Sequence, residues 1–389
     1  MVKIKNNLIN LVALVLLLIP AAALTENNGS YSSREDVSNF IEEMNVKHGF
    51  DKDKLIELIS GSKFQERVIR IMDRQPEGTM TWTRYKKIMV TDARIKSGRE
   101  FIEEHKEALL RAEDLYGVPA PIIASIIGIE TRYGRIQGNI RVIDSLMTLS
   151  FDYPRRASFF KTQLEEFLLL CREEGLSVGT IKGSIAGAMG YGQFMPDSYR
   201  DYAVDFDEDN VRDLLSNPVD AIGSVANFLS KKGKWKPNTP VATITDFNQG
   251  RLGSDISHIV NSGENLTSIA KKYKTTVSKI AKRNNLKNND LILQGKTLFI
   301  PGRGNIKSAF KPYMTLSDAE IIGLLPKESV KGNLKVVPVE LQLDNGYEYW
   351  LGFDNYYSLS RYNRSKLYIM AVFEFSKPLS KFFLEKNYE

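Results

Sequence analysis

The sequence predicts an α+β protein that is mainly α. Three observations carry this. Apolar residues recur at helical spacing from Val37 to Leu229. Residues 258 to 301 change to the order strand, helix, helix, strand. The stretch from Val336 to Phe375 alternates apolar and polar residues and is rich in aromatics, which predicts a small β element that packs back on the helical domain.

The chain has 389 residues, room for two or three domains, with 42% hydrophobic and 10% aromatic content, ordinary values for globular protein. Lys3 and Lys5 precede the apolar stretch Leu8 to Ile19, and Pro20-Ala21-Ala22-Ala23-Leu24 follows with small residues. That order is the one of a secretory signal peptide, residues 1–23. The apolar stretch is short for a membrane span, so an uncleaved anchor is the competing reading. No later stretch is long and apolar enough to span, so the mature chain carries no transmembrane segment on this reading. Residues 25 to 34 are polar and predict a flexible start.

From Val37 to Met72 the pattern is helical. Phe40, Ile41 and Met44 form one stripe and Leu55, Ile56 and Ile59 another, until Gly61-Ser62 breaks the run and Pro76-Glu77-Gly78 makes a turn. One helix is predicted through Phe101, Ile102, His105, Ala108, Leu109, Ala112, Leu115 and Tyr116, stopped by Gly117 and Pro119. Pro121 opens the next helix, because its missing N–H costs nothing there. That helix is apolar all round and ends at Gly134, which predicts the buried axis of its domain. Further helices run through Phe159 to Leu168 and Val219 to Leu229.

In the changed segment, Leu266, Ile269, Ala270 and Tyr273 make one helical face and Val277, Ile280 and Ala281 the other. Residues 258 to 301 hold eight Lys or Arg and two acids, net +6; the whole chain is 53 minus 47, also +6, so the remainder balances at 45 and 45. A basic module gains attraction to an anionic surface; a solvated face that aids solubility is the equal alternative. Cys171 is the only cysteine, so no intrachain disulfide forms, and its apolar run predicts a buried, inert thiol. His48, His105 and His258 show no metal-ligand spacing. No P-loop, dinucleotide fingerprint or zinc pattern occurs, and nucleic acid is not an expected partner.

Glu130 closes the run Pro121-Ile122-Ile123-Ala124-Ser125-Ile126-Ile127-Gly128-Ile129 and opens Glu130-Thr131-Arg132-Tyr133-Gly134. Burial disfavours the charged form of such a carboxyl, which suits a general acid. A helix-end carboxylate paired with Arg132 or Arg135 is the plainer reading. Downstream, Gly187-Ala188-Met189-Gly190-Tyr191-Gly192-Gln193-Phe194-Met195-Pro196 is dense in glycine, which lets a ligand lie close to backbone.

These strings, with Leu149-Ser150-Phe151-Asp152-Tyr153-Pro154-Arg155-Arg156-Ala157, Pro218 to Asn227 and Arg361-Tyr362-Asn363-Arg364-Ser365, resemble the lytic murein transglycosylase B family and its lysozyme-like catalytic domain. The resemblance runs from Tyr85 to Ala242 and resumes from Phe310 to Phe373. It implies a discontinuous domain, residues 35–250 plus 305–389. The βααβ segment, residues 257–302, resembles an inserted LysM glycan-binding module. The family implies a periplasmic enzyme on peptidoglycan glycan strands that cleaves the MurNAc–GlcNAc β-1,4 bond. Glu130 matches its single acid, which then acts as base to form 1,6-anhydroMurNAc. Ser184, Gln193, Tyr85, Tyr357 and Tyr362 match positions of the substrate cleft; Tyr191 and Met195, in the glycine-rich string, are read as further lining, with packing the equal alternative. Gln193 is read as holding an acetamido group or the glutamate itself, and Asn355 and Asn363 as partners to the glutamate or ligand. For the tyrosines half-buried packing competes, and Arg155 and Arg156 read as capping or surface residues. Cell-wall synthesis or division proteins are the further partners of such an enzyme.

Asp205, Asp207 and Asp209 occupy positions 1, 3 and 5 of a pattern that resembles an EF-hand calcium loop. Asn210 stands at the glycine position and Ser216 at position 12 in place of glutamate. A solvated acidic loop is the preferred reading, calcium the alternative, and no other cofactor is implied. Two rivals to the enzyme remain: a catalytically silent peptidoglycan-binding protein and a muramidase hydrolase of the same fold, with Asp144 and Asp152 as its second carboxylate.

Overall fold

Local signals set where each helix of the computed structural model starts and stops. It describes residues 31–74, 80–247, 255–273, 275–287, 291–301 and 309–387. The signal-peptide reading and the turn at Pro76-Glu77-Gly78 fall outside the described residues. The first helices are α1 (Glu35–His48), α2 (Lys52–Ser60), α3 (Glu66–Arg74), α4 (Trp82–Met89), α5 (Asp92–Glu104), α6 (Lys106–Tyr116) and α7 (Ala120–Thr131). Then come β1 (Ile140–Arg141), α8 (Val142–Phe151), α9 (Ala157–Glu173), β2 (Lys182–Gly183), α10 (Pro196–Tyr202), α11 (Pro218–Lys231) and β3 (Ala242–Asp246). The changed segment gives β4 (Ile256–Ile259), α12 (Leu266–Lys272), α13 (Val277–Arg283) and β5 (Thr297–Ile300). The chain closes with β6 (Met314–Thr315), α14 (Leu316–Ile321), β7 (Leu325–Pro326), β8 (Lys335–Gln342), β9 (Tyr347–Gly352), α15 (Asp354–Tyr362) and α16 (Lys366–Asn387).

The chain divides into two compact units. The first comprises the described residues within Met1–Met80, Lys87–Lys234 and Tyr362–Glu389; the second comprises those within Thr81–Lys86 and Trp235–Arg361. In the first, α7 is the axis. All 12 of its residues are buried, and α5, α6, α11 and α16 pack around it. Each of its buried isoleucines contributes roughly 1.5–3 kcal/mol relative to exposure. Glu113 caps its start, accepting the Ala120 N–H at 2.8 Å, with Pro121 at the second position. The helix ends at Thr131, three residues before the expected Gly134, because Arg132 (φ 51°) and Tyr133 (φ 60°) already turn left-handed.

Two predicted helices are divided. Gly49 (φ 66°) ends α1 and the Asp51 carboxylate caps α2 through the Lys54 N–H. The helix expected from Phe101 to Tyr116 breaks at His105, whose backbone leaves the helical region and whose ring packs edge-on to Phe101 at 4.6 Å. Cys171 is buried, as read, and burial pushes its thiol up to about 12.

The second unit holds a five-stranded antiparallel sheet in the order β6-β8-β9-β3-β7. Trp350 of β9 faces Val339 of β8 on one side and Ile244 of β3 on the other. The β reading from Val336 to Phe375 holds only to Gly352. From Asp354 the chain is helical, because Leu367, Met370, Ala371, Phe375, Leu379 and Phe383 bury one helical stripe rather than one face of a strand.

The segment read as strand, helix, helix, strand has that order. β4 pairs antiparallel with β5, Ile256 opposite Ile300 and His258 opposite Leu298. Its buried residues Ile256, Leu266, Ile269, Ile280, Leu298 and Ile300 belong to one apolar cluster with Ala319, Leu324, Val336, Leu351 and Phe353. The sheet and the βααβ segment therefore share a unit, whereas the sequence assigned the sheet to the domain of Glu130.

In the first unit, one carboxylate orders the acidic loop. Asp220 of α11 is fully buried and accepts the Phe206 N–H at 2.6 Å and the Asp213 N–H at 2.8 Å. Burial pushes its carboxyl above the usual carboxylate range, and those N–H groups pull it back. Asp220→Ala strands both donors, at roughly 1–3 kcal/mol each. Urea denaturation is expected to show that loss as a lower midpoint with an unchanged slope.

Candidate active site

Glu130 is the penultimate residue of α7 and 8% exposed. A carboxyl at that depth needs a polar partner from another element. It comes from α16, where the buried Tyr368 hydroxyl donates to Glu130 Oε1 at 2.6 Å. Ser365 Oγ accepts the Tyr368 N–H at 3.3 Å and so helps to start α16.

Thr131 ties the end of α7 to the glycine-rich loop. Its hydroxyl lies 2.9 Å from the Tyr191 carbonyl and accepts the Gly134 N–H at 2.9 Å. The loop itself is a tight backbone structure. Met189 and Phe194 exchange N–H···O bonds of 2.9 Å, and Gly187, Gly190 and Gln193 have positive φ. At Gly190 a Cβ would lie 2.7 Å from the Leu214 carbonyl carbon, so only glycine fits there.

Tyr362 seats its hydroxyl on the Gly192 carbonyl at 2.5 Å, and its ring packs edge-on to Phe228 and Phe194. It is buried, not an open sugar platform. Burial holds its hydroxyl proton far above the usual phenol range, and the charge of Glu130 adds to this. The structure thus brings Glu130, Tyr362, Tyr368 and the glycine loop together. Ser184 and Gln193 join them as loop builders. Ser184 Oγ accepts the N–H groups of Ala188 at 3.0 Å and Ala186 at 3.4 Å, which leaves its own proton to donate. Gln193 Nε2 donates to the Gln137 and Gly190 carbonyls, both at 3.0 Å, so its amide holds backbone and not Glu130. Half-buried Tyr191 lays its ring over Gly134, and burial raises its hydroxyl, with Glu104 and Asp213 adding.

Three expected cleft residues belong to the second unit. Tyr85 is fully buried and presents no ring face. Asn355 is also fully buried, and backbone takes its whole amide: Oδ1 accepts the Lys236 N–H at 2.8 Å, and Nδ2 donates to the Lys236 and Thr239 carbonyls. It latches the loop before β3 and is not a ligand to glutamate or sugar. Tyr357 is half-buried on α15. In the first unit, Asn363 is 4% exposed and its Oδ1 has no hydrogen-bond donor among the described residues.

Asp144 and Asp152 are held elsewhere. Asp144 accepts the Lys63 N–H and a bidentate pair from Arg141; Asp152 accepts Tyr31 at 2.7 Å and Arg34 at 2.6 Å. In the acidic loop, the carboxylates of Asp205, Asp207 and Asp209 lie within 4.8 Å of one another. Asp205 already accepts the Asp209 and Asn210 N–H groups, and Asn210 has the left-handed backbone its position requires (φ 73°). Calcium takes six to eight oxygens, usually with a bidentate glutamate at position 12. Here three carboxylates converge and position 12 is Ser216, so the donor set fits calcium only in part.

Sequence reasoning missed Tyr368 and Thr131. The helical stripe of α16, once separated from the strands before it, would have placed Tyr368 near the start of a buried helix. Thr131 was quoted only as part of a string.

The family model described as transglycosylase SLT domain matches residues 32–297 and 300–377. The match runs through the βααβ segment and does not mark it off as an insertion. Membrane-bound lytic murein transglycosylase B of Escherichia coli (strain K12) is 35% identical over 373 residues, 94% of this chain and 88% of that protein. Among solved structures, soluble lytic transglycosylase SltB1 from Pseudomonas aeruginosa, in its catenated form, has a TM-score of 0.71 at 34% identity, covering 91% of this chain and 99% of that one. The Escherichia coli lytic transglycosylase Slt35 in complex with bulgecin A has a TM-score of 0.72 at 34% identity, covering 92% and 97%; the same protein is also solved with calcium. With most of its length matched in sequence and in fold, the chain belongs to the lytic murein transglycosylase B family.

Proposed function

We propose that this enzyme is a peptidoglycan lytic transglycosylase in which Glu130 is the one acid–base group. It cleaves the MurNAc–GlcNAc β-1,4 bond and leaves 1,6-anhydroMurNAc. The observation that carries the reading is the Tyr368–Glu130 hydrogen bond: a carboxyl at the buried end of α7 is aimed by a second helix. The carboxylates of Asp144 and Asp152 support a one-carboxyl mechanism, since Arg141 and the Lys63 N–H hold the first, and Arg34 and the Tyr31 hydroxyl the second.

The chemistry follows in two proton transfers. Glu130 gives its proton to the glycosidic oxygen as the bond to muramoyl C1 breaks. The resulting carboxylate is stabilised by the Tyr368 hydroxyl and takes the proton of the muramoyl 6-hydroxyl, whose oxygen bonds to C1. The acetamido oxygen of the same sugar shields C1 between the steps, so no second protein carboxylate is needed. The Ser184 hydroxyl proton and the Asn363 amide are the polar groups suited to orient acetamido and hydroxyl groups.

Residues 257–302 are read as a LysM-type glycan-binding module, supported by the βααβ order and the antiparallel β4–β5 pair. The acidic loop is read as solvated, because its donor set is incomplete for calcium. Residues 1–23 are read as a signal peptide and the enzyme as periplasmic, with glycan strands as substrate and wall-synthesis or division proteins as partners. Among the described residues no single helix is long and apolar enough to cross a membrane.

Glu130→Gln keeps the shape and removes the proton. Turnover of purified sacculi is expected to fall about a hundred- to ten-thousand-fold in a folded protein; near-normal turnover would refute the assignment. The wild-type products, read by mass, should be lighter by one water than hydrolysed muropeptides. Ordinary reducing ends would make the enzyme a hydrolase, and absence of products a silent binder.

Tyr368→Phe deletes one hydrogen bond to a charged group, worth roughly 1.5–3 kcal/mol. Steady-state kinetics should show kcat reduced about ten- to a hundredfold with KM little changed.

The module is best tested in place, because deleting it would uncover the apolar cluster it shares with the sheet. Lys271, Lys279, Lys282 and Lys296 are exposed. Replacing all four by Gln should weaken attachment to sacculi roughly tenfold at low salt. The difference should fade towards 1 M salt, where screening acts over about 3 Å. Equal pulldown of both proteins at low salt would remove the cationic contribution.

A further inference from the structure

The backbone beneath Glu130 leaves α7 by an unusual route. Arg132, Tyr133 and Gly134 are all left-handed, with φ of 51°, 60° and 80°. For the two residues with side chains this costs roughly 1–3 kcal/mol each and persists only where the surroundings over-determine it. The Thr131 hydroxyl is one restraint, through Tyr191 and Gly134.

The Tyr133 ring is the other. It stacks on Phe101 of α5 with centroids 4.8 Å apart. Its hydroxyl end enters a slot that two helices keep open with glycine. A Cβ at Gly98 of α5 would lie 2.5 Å from the hydroxyl, and one at Gly128 of α7 would lie 2.6 Å from Cζ. Leu379 and Phe375 of α16 close the same slot, each 2.8 Å from those imagined Cβ atoms. Glycine inside a helix costs roughly 1 kcal/mol against alanine, so each helix carries a penalty at the point where the ring passes. The hydroxyl is buried and has no hydrogen-bond partner among the described residues. The slot therefore accepts the ring for its shape and not for its polarity.

We propose that Tyr133 is a positioning residue for Glu130: its ring, wedged between Gly98 and Gly128, fixes the left-handed turn and with it the direction of the carboxyl three residues earlier. Gly128 stands two residues before Glu130 on the same helix, so the wedge grips both sides of the catalytic position. The proposal rests on Glu130 being the acid, which Glu130→Gln tests by itself.

The experiment compares Tyr133→Phe, Tyr133→Leu and Tyr133→Ala in the full chain, with kinetics on soluble glycan fragments, circular dichroism and thermal melts. Tyr133→Phe keeps the wedge and removes a stranded hydroxyl; it should retain turnover and melt higher. Tyr133→Ala should lower kcat at least about tenfold with KM within about twofold, the pattern of an interaction felt in the transition state. Should Tyr133→Ala not fold, Tyr133→Leu carries the same expectation. A folded Ala or Leu variant with wild-type kcat overturns the proposal. So does a loss confined to KM, or a Phe variant as impaired as the Ala one. Wild-type turnover in Glu130→Gln would instead mark failure of the acid assignment.

Discussion

A carboxyl at the buried end of an all-apolar helix is the constraint on which the site depends. Removing a carboxyl from water costs several kcal/mol unless hydrogen bonds replace the water. The chain meets that cost with α16, a helix more than two hundred residues later in sequence, which presents Tyr368 to Glu130. Each feature is of use only with the other. The apolar packing of α7 holds the carboxyl at a fixed depth, and the tyrosine fixes its rotation. A water-exposed glutamate would be easier to fold but would hold no fixed direction.

The glycine-rich loop follows from the same constraint. Backbone-to-backbone hydrogen bonds close it, and the side chains around it supply the rest: Thr131 holds Tyr191, Gln193 holds Gly190 and Gln137, Ser184 holds Ala188, and Tyr362 holds Gly192. Ser184, Gln193 and Tyr362, which the sequence suggested as ligands for a sugar, are in the structure the scaffold of this loop.

Much of this was legible in the sequence, for physical reasons that differ by element. The axis α7 was legible because an apolar run with Pro near its start has few alternatives. The βααβ order was legible because both strands alternate and both helices bury a stripe. The division of α1 from α2 was missed although Gly49 and Asp51 are ordinary stop and start residues; the apolar stripe on both sides masked them. The strand reading past Gly352 failed because aromatic-rich α16 mimics alternation over short windows. Asn355 and Tyr85 were misread because sequence gives a residue's chemistry but not what already occupies it: Asn355 is filled by three backbone contacts, and Tyr85 is buried.

Tyr133 shows the limit most clearly. Its ring is visible in the string that opens at Glu130, but Gly98 lies 35 residues earlier and nothing in the spacing relates them. Only the fold shows that both helix glycines give way to one ring. A left-handed turn after a buried helix is unstable alone, and a glycine in mid-helix is a defect alone. Joined by the tyrosine they form the proposed clamp beneath the Glu130 carboxyl. Two locally unfavourable choices that meet at one side chain, three residues from Glu130, are consistent with a chain that gives up local stability to fix the position of a carboxyl.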